Sequence, residues 1–233
     1  ELIAMTIEAL YHAGLSDFQI SVGNLEFFKG ICAEAGLDEE TELELREFIS
    51  GKNYFGAEEL LDRIKAPDKD KEALLKVGDL FGSVEILKEA GKAVTNSRSK
   101  KAIERLNMLY QVLCDYGVEK YVSFDLGMLS KYNYYTGIIF KVYTYGVGDA
   151  IVKGGRYDNL LAHFGKKAPA IGFVIVVDDL LAAMDRQGAV VAGVEPCRRL
   201  YYTEADFTEK LKEARRMRSE GRHVELLPVS EKG

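Results

Sequence analysis

The chain has 233 residues, of which 47% are hydrophobic and 29% are charged, and its formal net charge is −6. This length and composition are typical of a water-soluble globular protein with one large domain or two smaller ones. The acidic balance argues against tight binding of naked nucleic acid, because phosphate contacts require clustered lysines and arginines.

The distribution of apolar residues and cysteines excludes two further classes, membrane-spanning helical proteins and disulfide-rich proteins. No apolar run approaches the roughly eighteen residues of a transmembrane helix. The three cysteines, Cys32, Cys114 and Cys197, lie far apart and form no C-x-x-C pair. This spacing argues against a disulfide framework or a zinc site and suits a reducing compartment, so we place the protein in the cytoplasm.

The first predicted elements are a helix and a strand. An apolar stripe at helical spacing from Leu2 to Leu10 predicts a helix that Gly14 ends. Because the sequence enters this helix without a methionine or an N-cap, we interpret the chain as N-terminally truncated. Apolar and polar residues then alternate over residues 18–22, which predicts a short, half-buried strand ended by Gly23.

A long segment with helical periodicity follows, in which Asn24 and Asp38 are suitable N-caps. The predicted helices cover residues 24–35, 38–50, 56–65, 68–80 and 83–90. Helices this short are not stable alone and must pack on each other. We therefore predict a helical insertion subdomain at residues 24–94, without recognisable chemistry.

The remaining elements alternate between helices and strands. The main ones are a helix from Ser99 to Tyr116 and strands over residues 121–126, 136–142, 151–155 and 170–177, with helices over residues 157–164 and 178–184. A loop with Gly188, Gly193 and Pro196 then suggests a boundary. Beyond it, a strand, a helix and a strand form a small C-terminal αβ unit at residues 197–233. Residues 1–23 and 95–190 are left as the central core.

Nucleotide-binding loops are absent from this pattern. The run Gly91-Lys92-Ala93 lacks the earlier glycine and the hydroxyl residue of a phosphate loop, and Gly146-x-Gly148 is followed by a predicted strand. The three histidines lie in separate predicted elements. We therefore predict no metal, no cofactor and no catalytic triad. The pair Asp178-Asp179 fits a helix N-cap better than an acid and base pair.

Tyrosines are concentrated around the glycine-rich turns of the central core. They are Tyr132, Tyr134, Tyr135, Tyr143, Tyr145 and Tyr157. One interpretation is a core strand with packed aromatic rings, and the other is a ligand site whose hydroxyl groups find hydrogen-bond partners. Spacing alone leaves both open.

Three ordered motifs in this region carry a family resemblance. They are Tyr134-Tyr135-Thr136-Gly137-Ile138-Ile139-Phe140, Gly154-Gly155-Arg156-Tyr157-Asp158 and Pro169-Ala170-Ile171-Gly172-Phe173. In order and spacing they resemble the histidine-binding core of histidyl-tRNA synthetase and its paralogues, over about residues 1–187. The resemblance implies an α+β fold with a mostly antiparallel, class II synthetase-like sheet flanked by helices. It also implies that strands upstream of this segment are missing, which would leave an unpaired sheet edge.

Two departures from the synthetase pattern are informative. Where a synthetase has Arg-Gly-Leu-Asp before the double tyrosine, this chain has Ser130-Lys131-Tyr132-Asn133. Where the third class II motif ends in an arginine that binds ATP phosphates, this chain has Asp178-Asp179. Losing these cations removes charge-assisted contacts to a triphosphate and adds repulsion, so adenylation is not expected.

A synthetase core that keeps the amino-acid pocket without the ATP contacts resembles the regulatory subunit family of ATP phosphoribosyltransferase. The resemblance implies a non-catalytic protein that assembles with the short catalytic subunit, takes part in histidine feedback and is a homodimer in its full-length form. Histidine would bind either in the synthetase-like pocket or at the interface with the catalytic subunit, and the sequence leaves both open. The implied pocket residues are Tyr134, Tyr135, Thr136, Gly154, Gly155, Arg156 and Tyr157. The alternatives are a divergent histidyl-tRNA synthetase and a synthetase-like module that binds RNA or protein.

Overall fold

The computed structural model describes residues 1–130, 134–189 and 197–229. The chain forms two compact units, Glu1–Val190 and Val191–Gly233. Several residues singled out in the sequence lie outside the described ranges, namely Lys131, Tyr132, Asn133, Gly193 and Pro196.

The first unit combines helices with one sheet. Its described helices are α1 (Leu2–Ala13), α2 (Leu25–Glu34), α3 (Glu39–Ser50), α4 (Tyr54–Arg63), α5 (Asp68–Lys76), α6 (Glu85–Ala93), α7 (Ser97–Asp115) and α8 (Val177–Arg186). Its described strands are β1 (Phe18–Asn24), β2 (Phe81–Gly82), β3 (Val122–Asp125), β4 (Ile138–Thr144), β5 (Val152–Arg156) and β6 (Ile171–Ile175).

The strands form one sheet in the order β2-β3-β1-β4-β5-β6. Only β1 and β3 pair in parallel, and the other neighbours are antiparallel. The predicted α+β fold with a mostly antiparallel sheet is therefore confirmed. Strand β2 belongs to the segment predicted as a helical insertion, and its pairing with β3 joins that segment to the sheet. Helices of residues 24–94 also share one hydrophobic core with the sheet.

The prediction that β1 is half-buried was wrong. All its residues except Gln19 are buried, because β1 is a central strand between β3 and β4. The strand also continues through Gly23 to Asn24, whose side chain accepts a hydrogen bond from the Glu26 N–H at 3.1 Å. Asn24 is thus both the last residue of β1 and the predicted N-cap of α2.

The helix ends predicted at Gly14 and Asp38 are confirmed, whereas the start predicted for α8 is not. Gly14 ends α1 with a φ of 98°, and Asp38 accepts the Thr41 N–H at 2.8 Å. The N-cap of α8, however, is Val176, which makes no side-chain capping bond. Asp178 and Asp179 lie instead in the first helical turn, where the helix dipole favours negative charge. Their interpretation as N-caps was therefore wrong.

The helix predicted over residues 157–164 is also absent. Residues 157–159 are irregular, and Leu160–Phe164 form a short 3₁₀ turn ended by Gly165 with a φ of 82°. The Asp158 N–H donates to the Thr136 hydroxyl at 3.0 Å, which ties the start of this segment to the residues just before β4. None of the five residues of the turn is buried, so a longer helix would gain no packing there.

The second unit is a βαβ element, as the sequence predicts. It consists of β7 (Arg198–Tyr202), α9 (Phe207–Ser219) and β8 (Val224–Pro228), with the two strands parallel. A small core of Leu200, Ala214, Met217 and Val224 holds it together. The Arg218 guanidinium donates to the Val224 carbonyl at 2.8 Å and fixes the end of α9 to β8.

None of the helices formed by the described residues is long and apolar enough to cross a membrane. The three cysteines are free thiols, with Cys32 buried, Cys114 half-buried and Cys197 exposed. Burial raises the pKa of the Cys32 thiol, so this group stays protonated and unreactive.

Candidate functional site

The register of the strands divides the first sheet into two faces, since successive side chains point in opposite directions. On the face that we call the core face, Phe124, Val22, Phe140 and Gly154 are neighbours in register. On the other face, which we call the cleft face, one row contains Ser123, Ser21, Lys141, Lys153 and Val174. The cleft face therefore carries hydroxyl and ammonium groups across the middle of the sheet.

A second row on the cleft face is nearly free of side chains. It contains Gly23, Ile139, Gly155 and Gly172 in register. A Cβ atom on Gly155 would lie 2.7 Å from the Tyr135 ring, and one on Gly172 would lie 2.5 Å from the Tyr157 hydroxyl. Both distances are shorter than van der Waals contact. The glycines thus allow two tyrosines to lie directly against the sheet backbone.

The tyrosines above these glycines form a cluster of three rings. The centroids of Tyr134 and Tyr135 are 4.4 Å apart, and Tyr157 lies edge-on to both at 5.9 and 6.3 Å. Such edge-to-face geometry is favourable for aromatic pairs. The structure therefore brings together three of the predicted site residues from two separate motifs.

The two adjacent glycines of the second motif have different neighbours. Gly155 belongs to the cleft face and meets Tyr135, whereas a Cβ on Gly154 would lie 2.6 Å from the Phe140 ring. Gly154 therefore gives space to aromatic rings of the core face. The glycine pair lets aromatic side chains approach the same strand from both sides.

Thr136 and Arg156 tie the tyrosine segment to β5. The Thr136 N–H donates to the Arg156 carbonyl at 2.8 Å. The Arg156 Nε donates to both carboxylate oxygens of Asp158 at 2.9 Å, and Asp158 in turn bonds Thr136 through its N–H. In this arrangement the Arg156 side chain is engaged with Asp158, and Thr136 and Arg156 hold the cluster in place.

A cleft of about 980 Å³ opens beside the tyrosine cluster. Among the seven predicted site residues, Tyr135 and Gly154 line it. Its wall also contains charged and hydroxyl groups that the predicted site did not include, among them Lys52, Asp125, Ser130, Lys141, Tyr143, Asp149 and Lys153. Alternation along β4 could have placed Lys141 and Tyr143 on the face of Ile139. No local signal points to Lys52, which comes from the loop after α3.

Asp125 is a carboxylate in the cleft wall whose pKa is shifted by its surroundings. Burial raises the pKa of its carboxyl group, while hydrogen bonds from Gly127 and Met128 N–H groups and the charges of Lys141 and Lys52 oppose that rise. The Gly127 N–H donates to Asp125 Oδ1 at 2.9 Å. The cleft therefore holds a partly desolvated acid with ammonium groups close enough to influence it.

Two other groups that line the cleft, an ion pair and a phenol, extend this electrostatic pattern. Lys153 donates to Asp149 at 2.7 Å across a partly exposed ion pair. Burial, followed by the charges of Asp125 and Asp149, raises the pKa of Tyr143. The cleft thus offers both signs of charge, a neutral phenol and an aromatic wall, which suits a small polar ligand with an aromatic or apolar part.

Comparison with known proteins is consistent across sequence and structure. The family model described as histidyl-tRNA synthetase matches residues 1–180. A protein of Ruminiclostridium cellulolyticum named ATP phosphoribosyltransferase regulatory subunit is 46% identical over 188 residues, which cover 81% of this chain and 45% of that protein. A protein of the same name from Clostridium kluyveri is 37% identical over 99% of this chain and 60% of its own length.

Among solved structures, one from Bacillus halodurans C is described as an ATP phosphoribosyltransferase regulatory subunit/histidyl-tRNA synthetase. It superposes with a TM-score of 0.74 at 31% identity, covering 99% of this chain and 59% of that chain. The chain thus spans about half of the length of the relatives that it matches. On the evidence of its sheet, its three motifs and these matches, the chain belongs to the histidyl-tRNA synthetase family.

Proposed function

We propose that this chain is part of a non-catalytic regulatory subunit of ATP phosphoribosyltransferase, acting in the cytoplasm in the first step of histidine biosynthesis. The observation that carries the proposal is the similarity to proteins of that name over 81% and 99% of the chain. In this function the short catalytic subunit joins ATP to phosphoribosyl pyrophosphate. The regulatory subunit, a homodimer in its full-length form, binds that subunit, raises its activity and takes part in its inhibition by histidine.

The residues at two positions support the absence of adenylation activity. Ser130, which is 8% exposed and lines the cleft, stands where the synthetase resemblance expects an arginine. Asp178 and Asp179 occupy the first turn of α8, where the resemblance expects the arginine that binds ATP phosphates. A hydroxyl group and two carboxylates cannot replace bidentate, charge-assisted contacts to a triphosphate.

The tyrosine cluster supports a retained ligand pocket. In this proposal Tyr135 and Tyr157 face the side chain of a bound histidine, and Tyr134 completes the aromatic wall. Gly155 allows close approach on the cleft face, while Gly154, Thr136 and Arg156 maintain the backbone that presents these rings. The cleft volume of about 980 Å³ is ample for a ligand of that size.

The test is a reconstitution assay. The full-length protein is mixed with a short-form ATP phosphoribosyltransferase, and formation of phosphoribosyl-ATP is measured with and without L-histidine. We expect the mixture to be faster than the catalytic subunit alone and to be inhibited by L-histidine. A mixture with no increase in rate would reject the proposal, and histidine-dependent exchange of pyrophosphate into ATP by the protein alone would favour the synthetase alternative.

A further inference from the structure

Helix α7 has an apolar face that no described part of the chain covers. On its inner side Leu106 and Leu113 are buried in the core of the first unit. On its outer side Met108 is 59% exposed, Val112 is 43% exposed and Tyr116, the residue that ends the helix, is 48% exposed. These three residues are spaced by four, so they lie in one stripe along the helix. Single exposed apolar residues are common, but a stripe of this kind is typical of a contact surface.

The charges along the same face are segregated by sign. Lys101 and Arg105 lie on the N-terminal side of the apolar stripe and Asp115 lies at its C-terminal end, and all three are exposed. The ion pair that α7 makes within the described part of the chain joins Arg98 to Glu26, and it leaves these three side chains unengaged. Read along the helix, the face is basic, then apolar, then acidic.

This order of charges is unfavourable within α7 itself. The helix dipole favours acidic residues in the first turn and basic residues in the last turn, and α7 has neither. Lys101 and Arg105 are four residues apart, so two like charges are neighbours on the helix surface. A contact with a second molecule would explain why the chain carries charges that do not stabilise the helix locally.

We propose that α7 is a self-association surface, on which α7 of a second copy of this chain packs in the antiparallel direction. With the two-fold axis beside Tyr110, Met108 of one copy lies opposite Val112 of the other, and Arg105 lies opposite Asp115. Each of these contacts occurs twice, because a two-fold interface uses the same surface on both copies. Arg105 and Asp115 are ten residues apart, or about 15 Å, so an ion pair closes each end of the apolar contact.

The antiparallel direction follows from the charges. In a parallel pair Arg105 would face the Arg105 of the second copy, and Asp115 would face Asp115, so that both ends would repel. The antiparallel pair replaces both repulsions by attractions and opposes the two helix dipoles. The inference goes beyond the proposed function, which states that copies associate without identifying a surface, and it requires neither a ligand nor the catalytic subunit.

The experiment is analytical ultracentrifugation of the full-length protein as wild type, Arg105→Glu and Asp115→Arg. A contact of four helical turns belongs to the small class of interfaces, so the concentration series extends to about 0.5 mM. In either variant both ion pairs become repulsive, so we expect association to weaken at least about tenfold. At concentrations where the wild type is fully associated, each variant should have half its mass, whether or not the copies also meet through another surface.

Mixing the two variants provides the decisive arm. In a mixed pair Glu at position 105 faces Asp115→Arg of the other copy, and the second end keeps the natural Arg105 and Asp115. Both ion pairs are therefore restored, and the mass should return to that of the wild type. Misfolding of a variant cannot produce this recovery, which requires direct contact between positions 105 and 115 of two copies.

Lys100→Glu is the matched control. Lys100 is exposed and adjacent to Lys101 in the sequence, but it points about 100° away around the helix. This variant should sediment like the wild type. A wild type with no association step that Arg105→Glu and Asp115→Arg remove, or a mixture without recovery, would overturn the proposal.

Rate enhancement of a short-form ATP phosphoribosyltransferase is measured in parallel with the same variants. Enhancement that persists when the mass is halved would separate self-association from the regulatory function and support the proposal. Loss of enhancement with an unchanged mass would mean that α7 binds the catalytic subunit, and this result would also overturn the assignment to a second copy. Absence of enhancement in the wild type rejects the proposed function and leaves the sedimentation result unaffected.

Discussion

The core face and the cleft face of the same sheet differ in the size and polarity of their side chains. On the core face, residues such as Phe124, Val22 and Phe140 are almost completely buried and pack as large apolar side chains. On the cleft face, glycines replace side chains in one row, and lysines and serines occupy the next. The same strands therefore stabilise the fold through one face, while the other face provides open space and charged groups. The comparison indicates that the core face holds the sheet together, so that the cleft face can remain unfilled.

The largest effect is expected from the core face. Phe124 is 0% exposed, and Phe124→Ala should lower the free energy of unfolding by about 3–5 kcal/mol. Urea unfolding followed by circular dichroism measures this loss. The control is Phe81→Ala at the edge of the same sheet, where the ring is 57% exposed and the loss should stay within about 0.5 kcal/mol. Similar losses in the two variants would contradict the assignment of the faces.

The next largest effect is expected from the glycine row. In Gly155→Ala the new Cβ would lie 2.7 Å from the Tyr135 ring and 2.9 Å from the Ile138 carbonyl. Relief of this overlap should cost about 1–3 kcal/mol and displace the ring. Gly148→Ala is the control, because a Cβ there would meet no atom within 4 Å. If Gly155→Ala unfolds at the same urea concentration as this control, the close approach of Tyr135 is wrong.

A smaller effect, with the opposite sign, is expected at Asp125. Its pKa is raised in the folded protein, so the ionised carboxylate is less favourable there than in the unfolded chain. Asp125→Asn should therefore raise the unfolding temperature at pH 7, where the Asp carboxylate of the unfolded chain is ionised. This gain should shrink as pH falls from the raised folded pKa towards the ordinary Asp pKa, and it should vanish below the ordinary value, where both states bind the proton. Calorimetric scans across this pH range measure it, and a loss of stability at pH 7 would contradict the prediction.

The smallest effect concerns the two lysines in left-handed conformation. Glycine in place of Lys52 or Lys65 relieves the strain of a left-handed lysine, which stabilises the folded protein by about 1–2 kcal/mol. Glycine also increases the conformational entropy of the unfolded chain, which destabilises the folded protein by about 0.4–1 kcal/mol. Both variants should gain about 0.5 kcal/mol on balance. Equal gains would mean that the cleft leaves the stability of the empty protein unchanged, and a gain at Lys65 alone would mean that Lys52 already makes stabilising contacts in the cleft.

Local rules were sufficient for most of the fold. Asn24, Asp38 and Gly14 carry their own capping chemistry, so the sequence locates these helix ends directly. The error over residues 157–164 has a different origin, because the bonds that hold Asp158 to Thr136 and Arg156 come from another motif. The error at β1 is similar, since its burial comes from its central position between β3 and β4, which lie about a hundred residues further along the chain.

The candidate site was predictable only in part. The tyrosines and glycines belong to compact motifs, and their resemblance to a family places them together. Lys52, Asp125 and Lys141 are brought to one cleft by the register of three strands and by a loop after α3. Nothing near Lys52 in the sequence distinguishes it from the other lysines, so its position could be known only once the tertiary structure was described.

The tyrosine cluster also gives the protein an optical property. The sequence contains 13 tyrosines and no tryptophan, so its ultraviolet emission comes from tyrosine alone. Tyr134, Tyr135 and Tyr157 lie within 6.3 Å of each other, close enough for excitation to pass between rings. A molecule that enters the cleft beside Tyr135 would change the emission of a coupled group of chromophores, without any added label. The site is therefore its own spectroscopic reporter.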